Sequence, residues 1–199
     1  MSTETTRATT SICGFDADHI HVRGSDLVGD LIGKLSFTHA MLLQALGTAP
    51  EAHQVAIVDA VLVTIMEHGL VPSAIVTRLT HYGAPESYQG AIAAGLLGVG
   101  DRYAGTASEC GAVLERVVNA ETPAEQALAE VRAYRSIKRP LPGFGHPIHR
   151  DNDPRVARLL AVTEDAGVSG QHIAAMHLLE STLSEELGRQ LVTNISCLL

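Results

Sequence analysis

The chain has 199 residues, enough for one sizeable core, with 14 basic against 22 acidic side chains and a formal charge of −8. That balance argues against general attraction to nucleic acid or anionic lipid, though a few local arginines would suffice for a phosphorylated ligand. Three cysteines lie far apart without a C-x-x-C pair, and the start of the chain carries no apolar signal segment. Asp59, Thr64 and Glu67 interrupt the longest apolar stretch, so a cytoplasmic protein without a membrane span is expected. The ten histidines show no metal-ligand spacing, and no metal is expected.

In chain order, Met1 to Ser11 is Thr-rich and aperiodic, which predicts a mobile tail ahead of one helical domain over 12–199. His19 and His21 alternate as on an extended or irregular segment. Thr48-Ala-Pro-Glu51 and Thr122-Pro-Ala-Glu125 read as capping boxes, each opening a helix. The stretch Glu51 to His68 is apolar almost all round, which predicts a central helix enclosed by others. A short helix is expected over Pro72–His81, stopped by Gly83. Another runs from Pro85 through the small residues Ala91 to Gly98, which allow close helix contact. Further helices are predicted near Thr106–Val118, Pro123–Ile137, Pro154–Ala166 and His172–Leu187. No segment shows sustained strand alternation between hairpin turns, so the fold class is all-α.

Chemistry concentrates in Arg139-Pro-Leu-Pro-Gly-Phe-Gly-His146-Pro-Ile-His-Arg150-Asp-Asn-Asp153-Pro154-Arg155. Its prolines and glycines break helix and let backbone approach a ligand. Asp153 reads as an N-cap and Pro154 as the first helical residue. This puts Arg155 in the first turn, where helix dipole and guanidinium together receive a carboxylate. A surface loop with an ordinary cap is the plainer alternative.

The run Pro142-Gly-Phe-Gly-His146, Arg150, Asp153-Pro154-Arg155 resembles the signature loop of the citrate synthase superfamily. Leu62-Val-Thr-Ile-Met-Glu67-His68-Gly69 resembles that family's central helix ending in a histidine. Ala84-Pro-Glu-Ser-Tyr-Gln89-Gly90-Ala is most similar to the citryl-CoA lyase branch, including the lyase module of ATP-citrate lyase. With Val22-Arg-Gly-Ser-Asp-Leu, the resemblance runs from about Arg23 nearly to the C-terminus. It implies a citrate synthase-like helical domain, abbreviated at its C-terminal end.

By this resemblance His68 would hydrogen-bond the acyl substrate, and His146 would sit at the substrate oxygen whose charge changes. Arg155 would clamp a substrate carboxylate, and Arg150 would meet coenzyme A phosphates. Leu141, Gly143 and Gly145 would present backbone to the adenine end. Two departures stand out. Gln89 stands where citrate synthases carry the histidine that polarises the thioester carbonyl, a histidine that lyase members also lack, and would offer the substrate one neutral hydrogen bond. In Leu191-Val-Thr-Asn194-Ile195-Ser196-Cys197, Ser196 takes the position of the family's acid/base aspartate.

The implied activity is cleavage of a 3-hydroxyacyl-CoA to an acyl-CoA and a carbonyl product, in a homodimer acting on coenzyme A thioesters and small carboxylic acids. Alternatives are a condensing enzyme of citrate synthase type and a non-catalytic acyl-CoA-binding homologue.

Overall fold

The computed structural model describes residues 10–100, 105–145 and 152–199. The chain divides into two compact units, residues 1–60 and 61–199.

In the first unit, β1 (Cys13–Phe15), β2 (Ile20–Val22) and β3 (Ser25–Asp26) form an antiparallel meander in which Gly14 faces His21 and Val22 faces Ser25. The extended reading of His19 and His21 agrees with this hairpin, where the two imidazoles stack with centroids 5.9 Å apart. These strands are too short for their alternation to show in sequence, and the fold remains mostly helical. A single π-helical turn follows at Leu27–Leu31, capped by Asp26. Helix α1 (Phe37–Leu46) starts on Ser36, whose hydroxyl accepts from His39 N at 3.2 Å, and ends on Gly47 at φ 76°. Arg23 ties the hairpin to this helix, its guanidinium donating twice to the carbonyl of Gln44.

Helix α2 (Ala52–Ile65) crosses the division between the units and differs from expectation in three ways. It opens beyond Glu51 rather than at Thr48. Gln54 reaches back to accept from Glu51 N at 2.8 Å, so one half of a capping box forms three residues late. It stops at Ile65, because Glu67 accepts from Gly69 N and Gly69 takes φ 70°, which turns the chain out of helical conformation before His68. It also contributes no buried residue, so the expectation of an enclosed central helix is corrected. An all-round apolar sequence states a need for cover without saying which chain supplies it.

In the second unit, α3 (Pro72–Gly83) and α4 (Tyr88–Leu97) pack on each other. The small residues act as expected here: a Cβ at Gly95 would fall 2.0 Å from Thr77 Oγ1, so only glycine permits the approach. Helices α5 (Gly105–Val118), α6 (Pro123–Ser136) and α8 (Gln171–Leu187) build the core together. Their stripes are at helical spacing: Cys110, Val113, Leu114 and Val117 on α5, Ala127 and Val131 on α6, Ala175, Met176, Leu179 and Leu183 on α8.

Glu130 lies in the α6 stripe and is buried because Arg116 meets it bidentately at 2.7 and 2.9 Å while Gln126 adds a third bond. The Arg116 guanidinium holds this carboxyl below the usual range. Helix α6 begins at Thr122 as read, but the Thr122 hydroxyl donates to the Glu125 carboxylate at 2.8 Å instead of accepting from the backbone. Helix α7 (Pro154–Asp165) buries Val156 and Leu159 and rests Leu160 on the core. A 3₁₀ turn at Ile195–Cys197 packs on α5. Among the described residues no helix is long and apolar enough to cross a membrane.

Candidate functional site

The site of the second unit is assembled from the Pro/Gly loop, the start of α7 and the C-terminal segment. The backbone of the loop's last residues pairs with residues 192–194: Gly145 N donates to Val192 O at 2.8 Å, Asn194 N donates to Gly143 O at 2.8 Å, and Phe144 bridges Thr193. Asn194 closes the arrangement. Its amide donates to Gly145 O at 2.7 Å while its Oδ1 accepts from Ser196 N, capping the 3₁₀ turn. Glu180 of α8 accepts from Thr193 N and anchors the segment to the core. The left-handed φ of Gly143 (84°) and Gly145 (80°) lets the loop double back over these partners.

Backbone groups that the sequence reading offers to adenine are therefore partly committed to this pairing, with Leu141 and Gly143 buried and Gly145 half-buried. The loop's outer side still lines a cavity of about 440 Å³ with Arg189, Leu191, Asn194 and Ser196.

Asp153 and Pro154 behave as read. The Asp153 carboxylate is fully buried and accepts from Arg155 N at 3.1 Å, which caps α7. It also grips the guanidinium bidentately, Nε at 2.9 Å and the second nitrogen at 2.8 Å. The grip raises the guanidinium's pKa further and leaves the remaining N–H donors to point elsewhere. Arg155 lines a second cavity of about 440 Å³ with His68, Val71, Ser73, Ile195 and Ser196. His68 reaches it from the turn between α2 and α3. Ser196 lines both cavities, and its hydroxyl accepts from Thr106 Oγ1 on α5 at 3.3 Å.

The structure thus gathers His68, Arg155 and Ser196 in one concavity, with Leu141, Gly143 and Gly145 in the adjoining one. Gln89 is exposed in the first turn of α4 and lines neither cavity. His146 and Arg150 lie outside the described residues. The sequence reading assigned no role to Thr106, Arg189 or Asn194. A weak signal existed for Asn194, since an Asn side chain commonly caps a short turn by accepting from the backbone N–H two residues on. Among the described residues no group of three or more His, Cys, Asp or Glu side chains could hold a metal ion.

These features define an all-α domain whose concave site gathers a histidine, a helix-start arginine and a hydroxyl beside a glycine-rich loop. The family model for the citrate synthase C-terminal domain matches residues 5–199, and the chain belongs to that family. Among solved structures, citryl-CoA lyase from Hydrogenobacter thermophilus matches with a TM-score of 0.84 and 28% identity, covering 96% of this chain and 73% of that one. Two ATP citrate lyases share the fold at 18% identity over the whole of this chain, which spans 32% of their length. One is an aspartate-to-alanine variant from Methanosaeta concilii in complex with (3S)-citryl-CoA, with a TM-score of 0.80. The other, from Methanothrix soehngenii in complex with citrate and coenzyme A, has a TM-score of 0.84. No curated protein sequence matches the chain.

Proposed function

We propose that this protein is a coenzyme A-thioester carbon–carbon lyase of the citryl-CoA lyase type. The observation that carries the reading is the position of Ser196 on the wall shared by two cavities, one holding His68 and Arg155, the other the Leu141–Gly145 loop. A thioester whose acyl end fills the first cavity and whose coenzyme A lies along the second would carry its reacting carbons past that wall.

Arg155, held in one pose by Asp153, presents its free N–H donors to a carboxylate of the acyl group. His68 donates to a second oxygen. A base, assigned on sequence to His146, takes the 3-hydroxyl proton. The bond between carbons 2 and 3 then breaks, leaving a carbonyl product and an acyl-CoA enolate that takes up a proton at carbon 2. Gln89 stands where synthases carry a histidine, which favours cleavage over condensation. Arg150 is assigned to the coenzyme A phosphates from its place in the loop.

The reading includes a cytoplasmic homodimer. Ile75, Leu79, Ile92, Leu96 and Leu97 expose an apolar surface on α3 and α4 that a second copy would cover, and light scattering of the purified protein would give the mass of a dimer.

The deciding experiment supplies (3S)-citryl-CoA and follows the carbonyl product by coupled reduction. Cleavage that falls at least tenfold in Arg155→Ala supports the proposal. Tight coenzyme A binding without cleavage would favour the second reading, a non-catalytic acyl-CoA-binding homologue, to which the hydroxyl of Ser196 in the acid/base position already points. Thiol release from acetyl-CoA and oxaloacetate in place of cleavage would favour the condensing enzyme.

A further inference from the structure

Two of the three cysteines, distant in sequence, meet inside the second unit. Cys110 on α5 is completely buried, and Cys197 in the 3₁₀ turn is nearly so. Both crowd Gly143: a Cβ there would lie 2.3 Å from Cys110 Sγ, 3.3 Å from Cys110 Cβ and 3.0 Å from Cys197 Cβ. The two β-carbons therefore flank one point, and the absent side chain of Gly143 is the room that the thiols occupy.

Interaction with the Cys197 thiol lowers the Cys110 pKa below its usual value, while Cys110 and burial raise that of Cys197. Two thiols packed against one glycine give the geometry of a nucleophile and a resolving partner, and the lowered Cys110 pKa favours Cys110 as the attacking thiolate. Neither sulfur is in a disulfide.

We propose that Cys110 and Cys197 form a redox pair whose closure to a disulfide weakens the adjoining acyl-CoA site. The oxidant is hydrogen peroxide, small enough to reach sulfurs covered by the glycine backbone of the loop. Cys110 thiolate attacks one peroxide oxygen and becomes the sulfenic acid as hydroxide leaves. Cys197 thiol then attacks that sulfur and expels water. Overall, two thiols lose two electrons and two protons while one peroxide becomes two waters.

The regulatory part rests on the function proposed above and follows from connectivity. Cys197 is bonded directly to Ser196, and Thr106, the partner of Ser196, stands one helical turn before Cys110. Replacing a thiol contact by a bond of about 2.05 Å draws the 3₁₀ turn toward α5. Asn194, two residues before Ser196, holds Gly143 and Gly145 through its backbone and side-chain amides, so the same movement strains the loop. A shift of about 1 Å is enough to lower the effectiveness of a positioned site by about 10².

The test uses the full chain with the exposed Cys13 changed to serine. After treatment with hydrogen peroxide, peptide mapping without reductant should find a Cys110–Cys197 linkage, absent from Cys110→Ser and Cys197→Ser. Amide exchange at Gly143–Gly145 and Thr193–Cys197 should change on oxidation and return with dithiothreitol. Coenzyme A affinity should fall at least tenfold and recover in step. Absence of the linkage overturns the redox pair, and a linkage that leaves exchange and affinity unchanged overturns the switch. If the reduced protein binds no coenzyme A, the function proposed above fails, while the linkage still decides the redox pair and a reversible change of exchange across the two segments still decides whether its closure strains the loop.

Discussion

Changing Asp153 to alanine removes the N-cap of α7 and the partner of Arg155 in one step. The lost bond to Arg155 N is a helix cap, worth about 1 kcal/mol. The lost bidentate pair leaves a guanidinium without its partner. Breaking a fully buried pair costs about 3–5 kcal/mol, but the Arg155 side chain is 29% exposed and can turn toward water, so about 1–3 kcal/mol is appropriate here. The sum is about 2–4 kcal/mol, which for a protein of this size lowers Tm by roughly 4–16 °C.

Asp153→Asn keeps an acceptor for the backbone and for Nε but turns a donor toward the second guanidinium nitrogen, so it should fall between wild type and alanine. Urea unfolding followed by far-ultraviolet circular dichroism gives the free energies, with an unchanged m value as the condition for comparison. An alanine variant within 0.5 kcal/mol of wild type would refute the argument that this carboxylate organises the start of α7.

Three other outcomes follow from the same geometry. Ser196→Asp puts a carboxylate at the position that the proposed function assigns to the acid/base and should raise citryl-CoA cleavage by about 10²–10⁴, measured as initial rate under saturation; a rate equal to wild type would show that Ser196 is not the deficient position. Asn194→Ala removes the side-chain bond to Gly145 O and the cap of the 3₁₀ turn, and should cost about 1–3 kcal/mol by denaturant titration while speeding amide exchange at Gly145. The Glu130 carboxyl has a folded pKa held below its ordinary 4.5 by Arg116, so its contribution is fully present above pH 4.5 and is lost as pH falls through the lowered value. Glu130→Gln should therefore lessen the loss of stability below pH 4.5, seen as a flatter Tm against pH between 5 and about 3.

Local signals carried much of the architecture. Helices α3 and α5 to α8 lie within a residue or two of their expected ends, and Asp153-Pro154 starts α7 as read, because caps, proline and apolar spacing act within one or two turns of the chain. Where a local rule competed with another, the outcome was open. Thr48 offered a start for α2, yet the helix opens at Ala52 with Gln54 bonding Glu51 N, and the turn at Glu67–Gly69 ended it before His68.

Sequence by itself determined the mostly helical class, the starts of α3 and of α5 to α8 and the loop that cannot be helical, since each depends on neighbours three or four residues away. The tertiary structure alone decided that Thr106 meets Ser196, that Asn194 holds Gly145, that Gln89 lines neither cavity and that Cys110 and Cys197 come together against Gly143. Those pairs are separated by tens of residues, and the packing of α5, α6 and α8 brings them together. No local periodicity records which distant side chains such packing will place in contact.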